Sequence, residues 1–259
     1  MLGSLGSVRE LSEAGAEVRG KDRGGRTFVY WAAEYGQVQV LKAVEEQCGI
    51  EELRNLVATA NNVGWTCVHA ASERGHLEVV RYLGERCGEE QLRKRDNDGK
   101  TCAHWASMKG HLKVLQFLVE RCGDGMLKEK TNDGWTCAHA ASQVGQLEVL
   151  RYVRCGEEQL RAKDNDGWTC AHLASFGGHL EVVRYVVETC GEGLLRGQTD
   201  DGKTCAHAAS EGGHLEVVRY VVERCGEGVL REKTNDGKTC AALAGTSDVV
   251  DYLESLGVD

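Results

Sequence analysis

The stretch RDNDGKTCAHWASMKGHLKVLQFLVERCG, residues 95–123, spells out one turn, two short helices and the breakers between them. Asp96-Asn97-Asp98-Gly99 is a turn cluster, because Gly takes positive φ and Asp or Asn bonds its own backbone. Thr101 follows as an N-cap. It opens a short helix reaching Met108, and the small residues Ala103, Ala106 and Ser107 let a neighbour approach closely. Gly110 stops that helix. A second begins near His111, with Leu112, Leu115, Leu118 and Val119 on one face at helical spacing. It ends at Cys122, with Gly123 as the left-handed residue beyond. Neither helix is long enough to persist alone, so the pair must bury its apolar face against other pairs like itself.

Those other pairs are present. Thr-Cys-Ala-His or a close relative recurs at Thr66, Thr101, Thr136, Thr169, Thr204 and Thr239, at steps of 35, 35, 33, 35 and 35 residues. A degenerate copy starts at Thr27. Fixed periods of this size are the signature of stacked repeats. The pattern D-x-x-G-x-T-x-x-H-x-A-x-x-x-G-H-L, read from Asp96 onward, resembles the ankyrin repeat. The likeness occurs seven times and covers residues 21–259 of a 259-residue chain. It implies an all-α solenoid of helix-turn-helix units joined by hairpin loops. The expected units are 21–60, 61–95, 96–130, 131–163, 164–198, 199–233 and 234–259, the last a C-terminal cap. Residues 1–20 are expected to form an N-terminal capping half-repeat, with Val8–Val18 resembling a second helix and its exit loop.

Three departures stand out. Most units have 35 residues rather than ~33, the additional two lying in exit loops such as Gly123–Leu127. The chain contains no proline, so the family's proline at the start of the first helix is replaced, by Cys in six copies and by Phe28 in the first. The unit from Thr131 has a shortened second helix, Arg151–Cys155. The loss of about half a turn predicts a local bend across residues 145–170.

Composition narrows the function. The chain is 41% hydrophobic and 27% charged, as expected of a folded soluble protein. No apolar run approaches the ~20 residues of a membrane span, and the start MLGSLGSVRE lacks the pattern of a signal or transit peptide, so a cytoplasmic location is expected, with a nuclear or organellar one as the alternative. The net charge is −9, with basic residues dispersed among more numerous acids. Nucleic acid, which demands clustered cations, is a poor expectation. A protein partner with a basic or mixed apolar and basic surface is a better one.

The twelve cysteines form two ladders: Cys67, Cys102, Cys137, Cys170, Cys205 and Cys240 at first-helix starts, and Cys48, Cys87, Cys122, Cys155, Cys190 and Cys225 at second-helix ends. No C-x-x-C pair or zinc-like spacing exists, and buried packing is the expected role. A thiol-based redox or metal sensor is the alternative from another class. His69, His104, His139, His172 and His207 follow each Thr by three residues, and a second set, His76, His111, His179 and His214, opens second helices. The resemblance implies that the first set bonds Thr and nearby backbone, tying adjacent hairpins together. Parts present in every unit argue against a unique catalytic constellation, so no enzyme and no cofactor is expected. The DNDG turns at Asp96 and Asp164 lack the Glu of a calcium loop and read as hairpin turns.

What varies between copies is the candidate for function. The resemblance implies docking on the concave face of hairpin tips and first helices. There the sequence places Trp65, Lys100, Trp135, Trp168 and Lys203 at tips, Asp133, Asp166 and Asp201 just before them, and Tyr35, Met108, Val144 and Phe176 on first helices. Trp is enriched at interface hot spots, so these twelve residues are the expected partner-binding set. Trp31 and Trp105 are expected in the core. The expected function is a protein-binding scaffold or adaptor, or else a constitutive structural subunit of a larger assembly.

Overall fold

The structure, a computed structural model, describes residues 19–153 and 157–258. It divides into two units, Met1–Leu127 and Lys128–Asp259. In the first, helices α1 (Phe28–Glu34) and α2 (Val38–Cys48) form one hairpin, α4 (Cys67–Glu73) and α5 (Leu77–Cys87) the next, and α6 (Cys102–Met108) and α7 (Leu112–Cys122) a third. A further helix, α3 (Ile50–Ala58), occupies the first exit loop. The second unit holds the pairs α8 (Cys137–Gln143) with α9 (Leu147–Val153), α11 (Cys170–Phe176) with α12 (Leu180–Cys190), α14 (Cys205–Glu211) with α15 (Leu215–Cys225), and α16 (Cys240–Leu243) with α17 (Ser247–Ser255). Short helices α10 (Glu157–Arg161) and α13 (Gly193–Arg196) fill exit loops there. Among the described residues there is no strand, only one isolated bridge, Arg95 to Thr101. This is the stacked helical-hairpin architecture that the repeat predicts. The N-terminal half-repeat over Val8–Val18 and the chain at Arg154–Gly156, on which the expected bend depends, lie outside the described residues.

Each layer buries one stripe of each helix. Leu41, Val44, Val79, Val80, Leu83, Leu115 and Leu118 are covered in the first unit, and Val149, Leu150, Val182, Val183, Val186, Val217, Val218 and Val221 in the second. Full burial of one such side chain stabilises by ~1.5–3 kcal/mol, which the isolated hairpin has no means of achieving.

The two added residues per repeat turn the exit loop into a helical turn. Besides α3, α10 and α13, 3-10 turns span Glu89–Gln91, Asp124–Lys128 and Glu227–Arg231. Each turn drives a leucine into the core: Leu53, Leu92, Leu127, Leu160, Leu195 and Leu230 are all buried. The turns also explain the missing prolines. A cysteine at the first helical position keeps its amide and adds a thiol donor. Cys102 Sγ reaches the Leu92 carbonyl at 3.0 Å, and Cys205 Sγ reaches that of Leu194 at 3.6 Å. Proline would offer neither group.

Neighbouring repeats are also tied by arginine. Arg54 donates to the Arg86 carbonyl at 3.4 Å, Arg93 to that of Cys122, Arg161 to that of Cys190, Arg196 to that of Cys225, and Arg231 to that of Leu256 at 2.9 Å. In each case a guanidinium from an exit loop caps the C-terminus of the following repeat's second helix, where unpaired carbonyls and the helix dipole favour a cation. On the outer face, Arg81, Arg151, Arg184 and Arg219 lie 4.6–5.8 Å from the rings of Phe117, Tyr185, Tyr220 and Tyr252, one repeat on.

The glycine between the helices of a pair is required where it stands. Gly75 has φ +76°, and a Cβ there would lie 2.5 Å from His111 Nδ1 of the next repeat. Gly75→Ala therefore combines left-handed strain with a clash, and a loss of about 2 kcal/mol or more is expected in urea denaturation. Arg196→Ala, which removes one charge-assisted cap at an exposed site, should cost about 1 kcal/mol. Equal effects of the two substitutions would contradict these assignments.

Candidate protein-binding face

The face begins with the residues that anchor it. Thr66, Thr101, Thr136, Thr169 and Thr204 each cap a first helix, and the imidazole three residues on completes a capping box. The ring stands where Glu usually stands: Thr66 N–H donates to His69 Nδ1 at 3.1 Å, and Thr169 N–H to His172 Nδ1 at 3.3 Å. Because Nδ1 accepts, the proton sits on Nε2. That nitrogen then donates to the following exit loop, from His139 to the Ala162 carbonyl at 3.0 Å, from His172 to Gly197 at 2.9 Å, and from His207 to Glu232 at 3.0 Å. The second set reaches the other way. His76 Nε2 bonds the Glu34 carbonyl, His111 that of Glu73 and His179 that of Gln143, at 2.9–3.0 Å.

Hairpin tips stack through the same economy. Asn97 N–H donates to the Val63 carbonyl at 3.2 Å, Asn165 N–H to Asp133 at 3.0 Å, Asp200 N–H to Asp166 at 2.9 Å and Asn235 N–H to Asp201 at 2.9 Å. The turn carboxylates are committed to the fold. Asp96 Oδ1 accepts from the amides of Asp98 and Lys100, and its Oδ2 accepts from Trp105 Nε1 at 3.0 Å. Asp164 accepts from the Trp168 amide at 2.8 Å and from Trp135 Nε1 at 2.9 Å. These oxygens hold hairpins closed.

Upon that frame the variable side chains differ between the two units. In the first, Trp65 packs against Trp105 with centroids 4.4 Å apart, and Lys100 lies over Trp105 while pairing with Asp98 at 3.1 Å. Trp31 stacks on the strongly exposed Tyr35 and carries Arg26 above it. Trp31 and Trp105 are therefore half-buried face residues and not core fillers. Their indoles are too large for the small-residue seam between first helices, so they swing to the tips. Met108 is half-buried, and the exposed first-helix ends are charged, with Arg74 bridging Glu34 and Glu73 and Lys109 pairing with Glu73. Val63, 56% exposed at a tip, belongs to this face and was not singled out from the sequence, although it stands where other copies carry Asp.

In the second unit the face is more apolar. Trp135 and Trp168 are half-buried and share Asp164, and the ring of Phe176 lies 5.9 Å from that of Trp168. Phe176 is 40% and Val144 37% exposed. Lys203 lies 5.9 Å over Trp168 and pairs with Glu211 at 2.9 Å and Asp201 at 3.4 Å. The acids follow a rule. Asp98, Asp201 and Asp236 precede a lysine and pair with it. Asp133 and Asp166 precede tryptophan instead, and stand exposed beside an indole.

The cysteines take no part in this face. Cys67, Cys87, Cys102, Cys137, Cys170, Cys190, Cys205 and Cys240 are buried, while Cys48, Cys122 and Cys225 are half-buried; Cys155 lies outside the described residues. Burial pushes the thiols of Cys67, Cys170, Cys205 and Cys240 up to about 12, although Ser142 beside Cys170 and Ser175 beside Cys205 pull the other way. A sensor thiol needs the opposite shift. Among the described residues no three His, Cys, Asp or Glu side chains converge as metal ligands would, and no helix is long and apolar enough to cross a membrane.

A family model described as ankyrin repeats matches residues 43–126, 86–159 and 122–196, together more than half of the chain. The chain belongs to the ankyrin-repeat family. Among solved structures, the ankyrin repeat domain of Bcl-3, described as a unique member of the IkappaB protein family, superposes with a TM-score of 0.62. The likeness covers 90% of this chain and 100% of that one at 23% identity, and it speaks for the fold. No curated protein matches the chain. Ankyrin repeats are in general protein–protein interaction modules and typically non-catalytic.

Two solution properties of this ankyrin stack follow. Burial holds His69, His139 and His207 below the ordinary imidazole pKa of 6.5, and takes His172 to about 4. The unfolded chain therefore protonates first as pH falls, so stability present above pH 6.5 is lost progressively towards pH 4. Urea midpoints should drop between pH 7 and pH 5, before most carboxylates titrate, and His172→Gln should shallow that drop. A flat midpoint over this range would contradict buried neutral imidazoles. In native protein at pH 8, Cys67, Cys170, Cys205 and Cys240 should resist a thiol-reactive disulfide reagent and react only in denaturant, as mass spectrometry would map. Rapid native labelling of these four would return the redox-sensor reading to favour.

Proposed function

We propose that this protein is a non-catalytic scaffold or adaptor that holds another protein on its hairpin-tip and first-helix face, with the second unit supplying the main anchor. One observation carries the reading. Trp135, Trp168, Phe176 and Val144 leave apolar surface exposed beside Asp133 and Asp166, two carboxylates with no lysine two residues on. In the first unit the corresponding helix ends are covered by Arg74, Lys109 and their acids. Exposed aromatic patches mark interaction sites, and the Trp135 indole, held by the Asp164 carboxylate, loses little freedom on docking. The acids select a partner with Lys or Arg set among apolar side chains. Trp65, Lys100, Met108 and Tyr35 extend the set on the first unit, and Asp201 and Lys203 form its charged rim on the second.

The test uses proteins captured from a lysate and identified by mass spectrometry. Phe176→Ser with Val144→Ser removes exposed apolar surface and spares the core. The pair should abolish capture of the specific partner, a weakening of roughly 2 kcal/mol or more, with an unchanged melting temperature. Asp133→Asn with Asp166→Asn should slow association and flatten its salt dependence. Capture unaffected by both pairs, but lost on changing the outer helices at Glu148 and Arg151, would favour a structural subunit docked through its flank.

A further inference from the structure

We propose that the tip face of the second unit binds an extended peptide segment carrying two basic side chains three residues apart. The inference rests on the adaptor reading above and goes beyond it by giving the partner a local sequence.

Asp-Gly-X recurs in register at the hairpin tips, and X is either lysine or tryptophan. Where it is lysine, the chain neutralises its own acid: Lys100 pairs with Asp98 at 3.1 Å, Lys203 with Asp201 at 3.4 Å and Lys238 with Asp236 at 2.9 Å. Lys100 Nζ also lies 5.1 Å from the centre of the Trp105 ring, and Lys203 Nζ 5.9 Å from that of Trp168. The chain thus shows twice how an ammonium is held here, between an indole and an aspartate. Asp133-Gly134-Trp135 and Asp166-Gly167-Trp168 keep the acid and the indole and leave out the lysine. Both carboxylates are exposed, and among the described residues neither makes an ion pair. At the Trp65 tip the acid is replaced by Val63, so acid and indole coincide only on these two adjacent repeats. A cation from a partner fits where the lysine is missing.

The spacing follows from the stack. The two tips are bonded directly, Asn165 N–H to the Asp133 carbonyl at 3.0 Å, so Asp133 and Asp166 stand one layer apart, about 8–10 Å for packed helices. An extended chain advances roughly 3.3 Å per residue and crosses that layer in about three. Phe176, exposed and 5.9 Å from the Trp168 ring, offers apolar surface to the side chains between the two cations. The Trp168 indole N–H has no hydrogen bond among the described residues. Trp135 Nε1 finds Asp164 of the next repeat, but the matching position for Trp168 is Thr199, whose hydroxyl donates to Asp201. That open donor suits a carbonyl of an extended backbone.

Fluorescence anisotropy of the full chain with labelled ten-residue peptides, at about 150 mM salt, tests this. The peptides share one composition, two arginines among leucine, glycine and serine, with the arginines two, three or five positions apart. Arginine is used because its planar fork both stacks on an indole and pairs with a carboxylate. Saturable binding is expected, with the three-position peptide at least about fivefold tighter than either of the others. Asp133→Asn with Asp166→Asn should weaken it about tenfold or more and erase the preference for spacing. Glu181→Gln with Glu216→Gln, which removes the same charge from the outer helices, should leave it within about twofold. The melting temperature confirms that each variant is folded. Equal binding of the three peptides, or equal weakening by both pairs of substitutions, overturns the proposal. So does the absence of saturable binding. Lysate capture that still depends on Phe176 and Val144 would then keep the adaptor reading, with a folded surface as its partner, and capture that does not would reject both.

Discussion

Five of the hairpins open on a buried imidazole that must stay neutral. Its Nδ1 accepts the amide that opens its own helix, and in His139, His172 and His207 the Nε2 donates to a carbonyl of the exit loop beyond. A protonated ring cannot accept, and a ring with the proton on Nδ1 cannot do both jobs. One tautomer thus connects helix initiation to the exit loop that closes the same repeat. Burial enforces the neutral form by disfavouring charge, and so the core that the repeats build together keeps the part that builds them.

Around that connection the remaining periodic residues divide the work without overlap. Glycine with φ near +75° lets the next repeat's second histidine lie against the backbone. Cysteine at the first helical position seats against the exit-loop turn, and leucine from the same turn closes the core. The longer exit loop and the missing proline are therefore one departure. Two extra residues make a helical turn, and that turn offers a carbonyl to which a thiol can donate and proline cannot.

Much of this was legible in the sequence because repetition multiplies weak signals. Thr, His and Gly at fixed offsets gave both helices to within a residue or two, and the first-helix cysteine ladder was rightly placed in the interior, whereas Cys48, Cys122 and Cys225 of the second are half-buried. Other features escaped for physical reasons. Arg93, Arg161, Arg196 and Arg231 each stand eight residues before a Thr, so their period was visible, yet the acceptor is a carbonyl, and backbone leaves no mark in a sequence. Trp31 and Trp105 were assigned to the core on helical phase alone. Phase says which way a Cβ points and nothing of whether an indole fits, and the alanine and serine seam has no room for one.

The ties between repeats point the same way along the chain. A second helix relies for its C-terminal cap on the arginine of the repeat before it, and the histidine that opens a second helix relies on a carbonyl of that same preceding repeat. Severing the stack between repeats thus leaves its losses on one side: an uncapped helix end and a second-helix imidazole without an acceptor, both on the fragment that follows. A repeat boundary is therefore costly to expose at the start of a fragment and less so at its end, so a stack cut between repeats is weakened from one side.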